Sequence, residues 1–313
     1  MTDDDLAAGA AAGSAGRVVV VGDVMTDVVV RPEGPLRRGS DRRAAIRLLP
    51  GGSGANQACW LAHFGASVRL AARVGASDRD RLAADLAGAG VEARLAADPD
   101  RPTGLLVALI DPDGERSFLT DRGANDGLCA GDVAEDLLDG VVLVHLSGYA
   151  LVAPGPRAAV LGFARRARAR GAAVSIDPAS TGFLAEIGPE NFLAWTEGAD
   201  FLFPNAEEAA LLAGSPDPVE QGAVLGARYG TVVVKRGASG AEAHVHGRRH
   251  ICPAPAAAAL DATGAGDAFL GAYLAAHLSG FDTARCLERA IAAGTAITAV
   301  VGARPQALRE GRG

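Results

Sequence analysis

A single lysine, Lys235, occurs among 313 residues. Its neighbours are Val234 and Arg236, so no Gly-x4-Gly-Lys-Ser/Thr loop exists and a P-loop phosphate site is excluded. Aromatics are scarce at 4%, which leaves the core to Ala, Val and Leu and few rings for a nucleobase to stack on. The four cysteines (Cys59, Cys129, Cys252, Cys286) form no Cys-x-x-Cys pair, so reduced thiols and a cytoplasmic location are expected. No apolar run approaches the roughly 20 residues of a spanning helix. Residues 1–16 lack a positive region ahead of an apolar one, so neither a membrane partner nor a signal peptide is expected. Positive charge is in deficit, with 30 Lys+Arg against 37 Asp+Glu and a formal charge of −7. That argues against a nucleic-acid polymer as partner, since phosphate contacts need clustered cations. The first strand leads into Gly22-Asp23-Val24-Met25 instead of Gly-x-Gly-x-x-Gly, which sets aside a dinucleotide-binding dehydrogenase.

What is present is a globular composition, 49% hydrophobic and 21% charged. Short β-branched runs alternate with Ala/Leu/Arg segments of helical period, the pattern of an α/β fold with a mostly parallel sheet flanked by helices. Strands are expected at 17–21, 68–74, 141–146, 172–176, 201–203 and 231–234, and helices at 55–64, 78–89, 156–169, 206–213, 218–229, 265–278 and 282–300. After a tail at 1–16, one domain at 17–310 is expected. Extended runs at 28–31, 44–49, 103–110 and 115–120 interrupt the alternation, the last two joined by Asp111-Pro112-Asp113-Gly114, a hairpin signal. They are expected to form a small β-rich lid from segments at about 28–49 and 101–122. Its open edge makes a homodimer through the lid plausible.

Gly22-Asp23, Gly75, Ser147-Gly148, Asp177, Pro204-Asn205 and Arg236-Gly237 all follow expected strands, which gathers polar groups on the rim where open α/β sheets bind ligands. In Asp261-Ala262-Thr263-Gly264-Ala265-Gly266-Asp267, small residues run into a helix. Its first N–H groups can hold an anion, and Asp267 can take the proton of an attacking hydroxyl. Taken alone, the same motif suits an Asp that only stabilises a helix start. Gly51-Gly52-Ser53-Gly54-Ala55-Asn56 is a second such turn, with Asn56 either binding a polyhydroxyl ligand or serving a plain helix cap.

Together, in this order and about two hundred residues apart, these segments closely resemble the two signatures of the ribokinase (PfkB-type) sugar kinases, from residue 17 to residue 305. The resemblance implies a ribokinase-like fold and transfer of the γ-phosphate of ATP to an alcohol of a small sugar-like molecule. It assigns Asp267 as base and the backbone of Gly264, Ala265 and Gly266 as anion hole. It gives Asp27, Gly51, Gly52, Asn56, Arg122 and Asn125 to the sugar-like substrate. Asn205, Lys235, Gly237 and Gly240 fall to ATP, and Glu208 to Mg2+ through water. Asp261 and Thr263 match places where many members bind a monovalent cation such as K+. Departures occur at Ala262, where Thr is common, at Met25, where ribokinases place a polar sugar ligand, and at Ser53, where they place Lys. A nucleoside kinase and a sugar sensor without chemistry are the rival readings. His244, His246, His250 and Cys252 have spacing that could hold zinc on a hairpin, but ordinary solvated strands show it too and no further ligand pair is apparent.

Overall fold

The computed structural model describes residues 16–111, 116–257 and 259–305. The expected tail at 1–16, apart from Gly16, and the turn at 112–114 lie outside the described residues. Thirteen strands are present among the described residues: β1 (Arg17–Val21), β2 (Met25–Pro32), β3 (Ala44–Gly51), β4 (Ser67–Gly75), β5 (Val91–Asp98), β6 (Gly104–Ile110), β7 (Arg116–Asp121), β8 (Val141–Ser147), β9 (Ala173–Asp177), β10 (Phe201–Leu202), β11 (Thr231–Lys235), β12 (Ala241–Val245) and β13 (Arg248–Cys252). The nine α-helices described are α1 (Ser53–His63), α2 (Arg79–Gly88), α3 (Pro154–Ala169), α4 (Thr181–Ile187), α5 (Pro189–Trp195), α6 (Ala206–Ala213), α7 (Pro218–Gly226), α8 (Ala265–Leu278) and α9 (Thr283–Ile297).

Nine strands form one sheet in the order β13-β12-β11-β10-β9-β8-β1-β4-β5. It is parallel from β11 to β5, and β12 and β13 close one edge as an antiparallel hairpin. The valines of β1 explain why the central strand reads as an unbroken apolar run. Val18 and Val20 point into a core with α1, α8 and α9, while Val19 and Val21 point into a second core with α3 to α7. Helix α8 is buried along Ala268–Ala276, between neighbours, which is why it is apolar all round instead of striped.

The second sheet has the order β3-β2-β6-β7. Its β6–β7 pair is antiparallel, as the Asp111–Gly114 signal requires, but β2 and β6 pair in parallel, a long-range match that no local turn announces. The row Asp27, Leu49, Leu106 and Thr120 lies on one face. The adjacent row Val28, Leu48, Val107 and Leu119 lies on the other, where Leu48 and Leu119 are exposed.

The expected helices at 206–213 and 265–278 end where the structure ends them. Asp282 caps the helix expected at 282–300, accepting from the Arg285 N–H, and α9 stops at Ile297. Strand β5 and the short helices α4 and α5 were not expected. Gly182 and Gly188 interrupt the helical period there, and Glu92 and Arg94 make β5 look like a polar edge.

Two helix glycines separate packing from propensity. A Cβ at Gly271 would lie 2.5 Å from Trp60 Cβ and 3.1 Å from the Leu61 backbone, whereas one at Gly162 would meet only arginine ends at 3.7 Å or more. Gly271→Ala is expected to lose about 1–3 kcal/mol of stability despite its better helix former. Gly162→Ala is expected to gain up to about 1 kcal/mol, with chemical denaturation of both as the check.

Candidate active site

The site is built where α1 and α8 begin on the C-terminal rim of the large sheet. At the start of α1, Gly52 has φ 89° and a Cβ there would lie 2.6 Å from the Asp23 carbonyl. A Cβ on Gly54 would lie 2.7 Å from Gly22 Cα, so two glycines let the helix start touch the end of β1. Asp23 locks this corner, its carboxylate accepting from the N–H groups of Ser53 (3.3 Å) and Gly54 (3.1 Å) and from the Ser147 hydroxyl (3.1 Å). It therefore caps the helix start.

Asp267 sits in the first turn of α8, behind Gly264, whose φ of 75° and close approach to Ala303 admit no side chain. Its Oδ1 accepts from the Ser53 hydroxyl at 2.7 Å and its Oδ2 from Asn56 Nδ2 at 3.1 Å. Burial pushes this carboxyl up to about 7, with the Asp177 charge adding to it, against the bonds from Ser53 and Asn56 and the charge of Lys235. Asp27 lies over Gly51, where a Cβ would collide with its carboxylate. Burial, helped by Asp23 and opposed by Arg304, lifts Asp27 to about 6.

Arg304 is the site residue that sequence reasoning missed. It is 5% exposed, donates from Nε to Asn56 Oδ1 (3.1 Å) and from Nη2 to the Gly51 carbonyl (3.0 Å). Asn56 can then turn only its NH2 toward Asp267. The signal available was weak, a lone arginine just beyond the last periodic helix.

On the opposite side, β11 ends with Lys235 Nζ 2.7 Å from Asp177 Oδ2, itself the end of β9. Burial alone would lower the Lys235 ammonium, but Asp177, Glu208 and Asp267 together hold it above its ordinary value. A Cβ on Gly266 would lie 3.5 Å from Lys235 Nζ, so the small residue keeps open the space between the ammonium and the α8 start. Asn205 bridges to Lys235 and caps α6, accepting from the Glu208 N–H at 2.9 Å, and Glu208 answers by accepting from the Asn205 N–H at 2.8 Å. Burial pushes Glu208 up to about 7, with Lys235 opposing and Asp177 adding. A 2% exposed carboxylate already spent on a cap offers a cation at most an oxygen edge, a fit for contact through water. Gly237 has open space above it, whereas a Cβ on Gly240 would meet the Cys252 carbonyl at 2.1 Å.

The other matched residues hold the walls. Asn125 is buried and bonded to backbone, accepting from the Val24 N–H and donating to the Val24 and Arg122 carbonyls, which ties the end of the second sheet to the β1–β2 corner. Arg122 pairs through Nε with Asp126 at 3.1 Å and lies over the Tyr149 ring at 5.6 Å, while its buried Nη1 has no hydrogen-bond partner among the described residues. Asp261 is buried, and its Oδ1 accepts from the Thr263 N–H at 2.8 Å. His244, by contrast, lies 3.3 Å from Glu242 and against Gly222. Among the described residues no group of three or more His, Cys, Asp or Glu could hold a metal. No described helix is long and apolar enough to cross a membrane.

The sequence pattern described as pfkB family carbohydrate kinase matches residues 15–309. An ATP-dependent ribose-1-phosphate kinase of Halopiger xanaduensis is 33% identical over 292 residues, covering 92% of this chain and 94% of that protein. A ribokinase of Arabidopsis thaliana is 29% identical over 302 residues, 92% of this chain and 77% of that one. An E. coli protein assigned as a ribokinase II, solved in complex with ATP and Mg2+, superposes with a TM-score of 0.83 at 24% identity, covering 95% of this chain and 98% of that one.

The raised Asp267 carboxyl has a consequence for stability. Between its unfolded value near 4 and its folded value of about 7, the folded chain holds a proton that the unfolded chain has lost. Stability therefore falls as pH rises through this window. Asp267→Asn cannot titrate, and Asp27 and Glu208 are common to both proteins. The melting temperature of Asp267→Asn relative to wild type is expected to be higher at pH 8 than at pH 4.5; an equal difference at both pH values contradicts the assigned environment.

Proposed function

The chain belongs to the pfkB family of carbohydrate kinases, and we propose that it moves the γ-phosphate of ATP to a hydroxyl of a small sugar-like acceptor with Asp267 as general base. The observation that carries this is the Asp267 carboxylate, raised to about 7 and fixed at a helix N-terminus beside small residues and Lys235. A base whose value lies near working pH is ionised often enough to act and basic enough to take a proton. In the transfer, the acceptor hydroxyl oxygen bonds to the γ-phosphorus as the bond to the β–γ bridging oxygen breaks. ADP leaves, and the hydroxyl proton goes to Asp267. The N–H groups of Gly264, Ala265 and Gly266 and the helix dipole offset charge on the transferring group.

Lys235 and Gly237 line the nucleotide side, and Gly240, packed against the Cys252 carbonyl, shapes the turn behind them. Asn205 and Glu208 would hold Mg2+ through water, where the ion supplies charge neutralisation for the phosphates. Asp27, Gly51, Gly52 and Asn56 hold the acceptor on the other side of Asp267. The second sheet turns the Asp27 row toward that acceptor and serves as a lid that excludes water.

Two observations favour an acceptor carrying a negative group. The buried Arg122 Nη1 has no hydrogen-bond partner among the described residues, and residues 31–47, from the end of β2 through the loop into the first half of β3, hold six arginines but only two carboxylates. The Halopiger relative, by its name, acts on ribose 1-phosphate. A nucleoside acceptor fits less well, given 4% aromatics.

ADP release over a panel of pentoses, ketohexoses, sugar phosphates, sugar acids and nucleosides checks both levels. Turnover of at least one sugar-like acceptor is expected, with phosphate- or carboxylate-bearing sugars ahead of neutral ones. Asp267→Asn is expected to lower kcat by roughly 100- to 10,000-fold while ATP binding stays within a few-fold of wild type. Near-normal turnover in that variant refutes the base assignment.

A further inference from the structure

Behind Asp267, away from the ligand rim, a line of polar side chains runs through the core between α1 and the large sheet. The Ser53 hydroxyl that donates to Asp267 accepts from Gln57 Nε2 at 2.9 Å. Gln57 Oε1 is 2.9 Å from His145 Nε2, in the middle of β8, and His145 Nδ1 is 3.0 Å from the Ser175 hydroxyl on β9. Gln57, His145 and Ser175 are fully buried. A core of Ala, Val and Leu could have been completed with apolar residues here, and each buried polar group would cost free energy if it lost its partner.

The chemistry of the groups fixes the direction of every bond. An ionised Asp267 only accepts, so the Ser53 hydroxyl must donate to it, and Ser53 Oγ then accepts from the Gln57 NH2. That leaves Gln57 Oε1 as an acceptor, which requires the proton of His145 on Nε2. A neutral imidazole with Nε2–H has Nδ1 free to accept, and the Ser175 hydroxyl supplies the donor. We propose that Gln57, His145 and Ser175 are positioning residues, a one-way hydrogen-bond chain that keeps the Ser53 proton aimed at Asp267 and so sets where the base titrates.

Burial holds His145 down at about 4, consistent with a neutral ring across the working range. The charges facing Asp267 and His145 are Asp177 and Lys235, at the ends of β9 and β11, with Asp23 bonded to Ser147 and the α1 start on the other side. Changing Gln57 or His145 leaves these charges in place, so a shift in the base reports the chain itself. Loss of the Gln57 donor frees the Ser53 hydroxyl to turn away, which removes one of the two bonds that favour the ionised carboxylate. The base then titrates higher.

The inference rests on Asp267 as the base of the proposed kinase reaction. The test is the acidic limb of the kcat–pH profile in Gln57→Leu, His145→Leu and His145→Gln. The two Leu variants are expected to move the limb up by about half a pH unit or more, roughly a three-fold loss of kcat at pH 6 relative to the pH 8 value. His145→Gln offers one donor and one acceptor at similar spacing and is expected to keep the wild-type limb. Ser175→Ala, which removes a hydroxyl and little bulk, carries the same expectation as the Leu variants should either fail to fold. Superposable limbs in all four, or a His145→Gln shift as large as the His145→Leu shift, overturn the chain. If limbs do not move while Asp267→Asn is inactive, only this inference falls; an active Asp267→Asn removes the base assignment first.

Discussion

One carboxylate ties together two helix starts that are 214 residues apart in sequence: Asp267, at the beginning of α8, accepts from Ser53 and Asn56, at the beginning of α1. For that to happen the two helices must pack side by side and begin on the same rim. Gly271 lets α8 approach Trp60 at a distance no side chain would permit, and Gly22 with Gly54 brings α1 onto the end of β1. The last described turn then folds back over both, with Trp60 Nε1 donating to the Ala303 carbonyl and Arg304 bonding Asn56 and Gly51. Packing in the Ala-rich core thus fixes the geometry of the polar centre.

The charges at this rim follow the same logic. Asp23, Asp27, Asp177, Glu208 and Asp267 crowd the strand and helix ends, with Lys235 and Arg304 among them. Burial lifts Asp27, Glu208 and Asp267 to between about 6 and about 7, where a modest change of environment alters their ionisation. Asp23 and Asp177 are held by direct donors, the α1 start and Lys235. The one lysine of the chain stands at the end of the parallel strand nearest the β12–β13 edge, facing three carboxylates. Such a concentration of like charge costs stability and marks the rim as a candidate functional site.

Much of this was legible in the sequence because it is local. The helix at 206–213, the small residues before Asp267 and the unbroken valines of β1 each announce themselves within a few positions. The candidate site became legible once two glycine-rich turns were taken together, since a shared rim follows from α/β topology. What stayed hidden is long-range: the parallel pairing of β2 with β6, the reach of Arg304 back to Asn56, and the chain from Ser175 to Ser53. Each joins residues whose individual types are ordinary, and only packing makes them partners. Asn125 is a lesson of the same kind, because its amide atoms turn out to bond to backbone, which a motif does not disclose.

The role of Asp267 as base requires the acceptor hydroxyl to sit against its carboxylate. A crystal structure of the chain with a non-hydrolysable ATP analogue, Mg2+ and an acceptor found in the ADP-release panel measures this directly. The reacting hydroxyl is expected within about 2.6–3.2 Å of an Asp267 carboxylate oxygen and in line with the γ-phosphorus. A hydroxyl bonded instead to Asp23 or Asp177, with Asp267 still engaged only by Ser53 and Asn56, would contradict it.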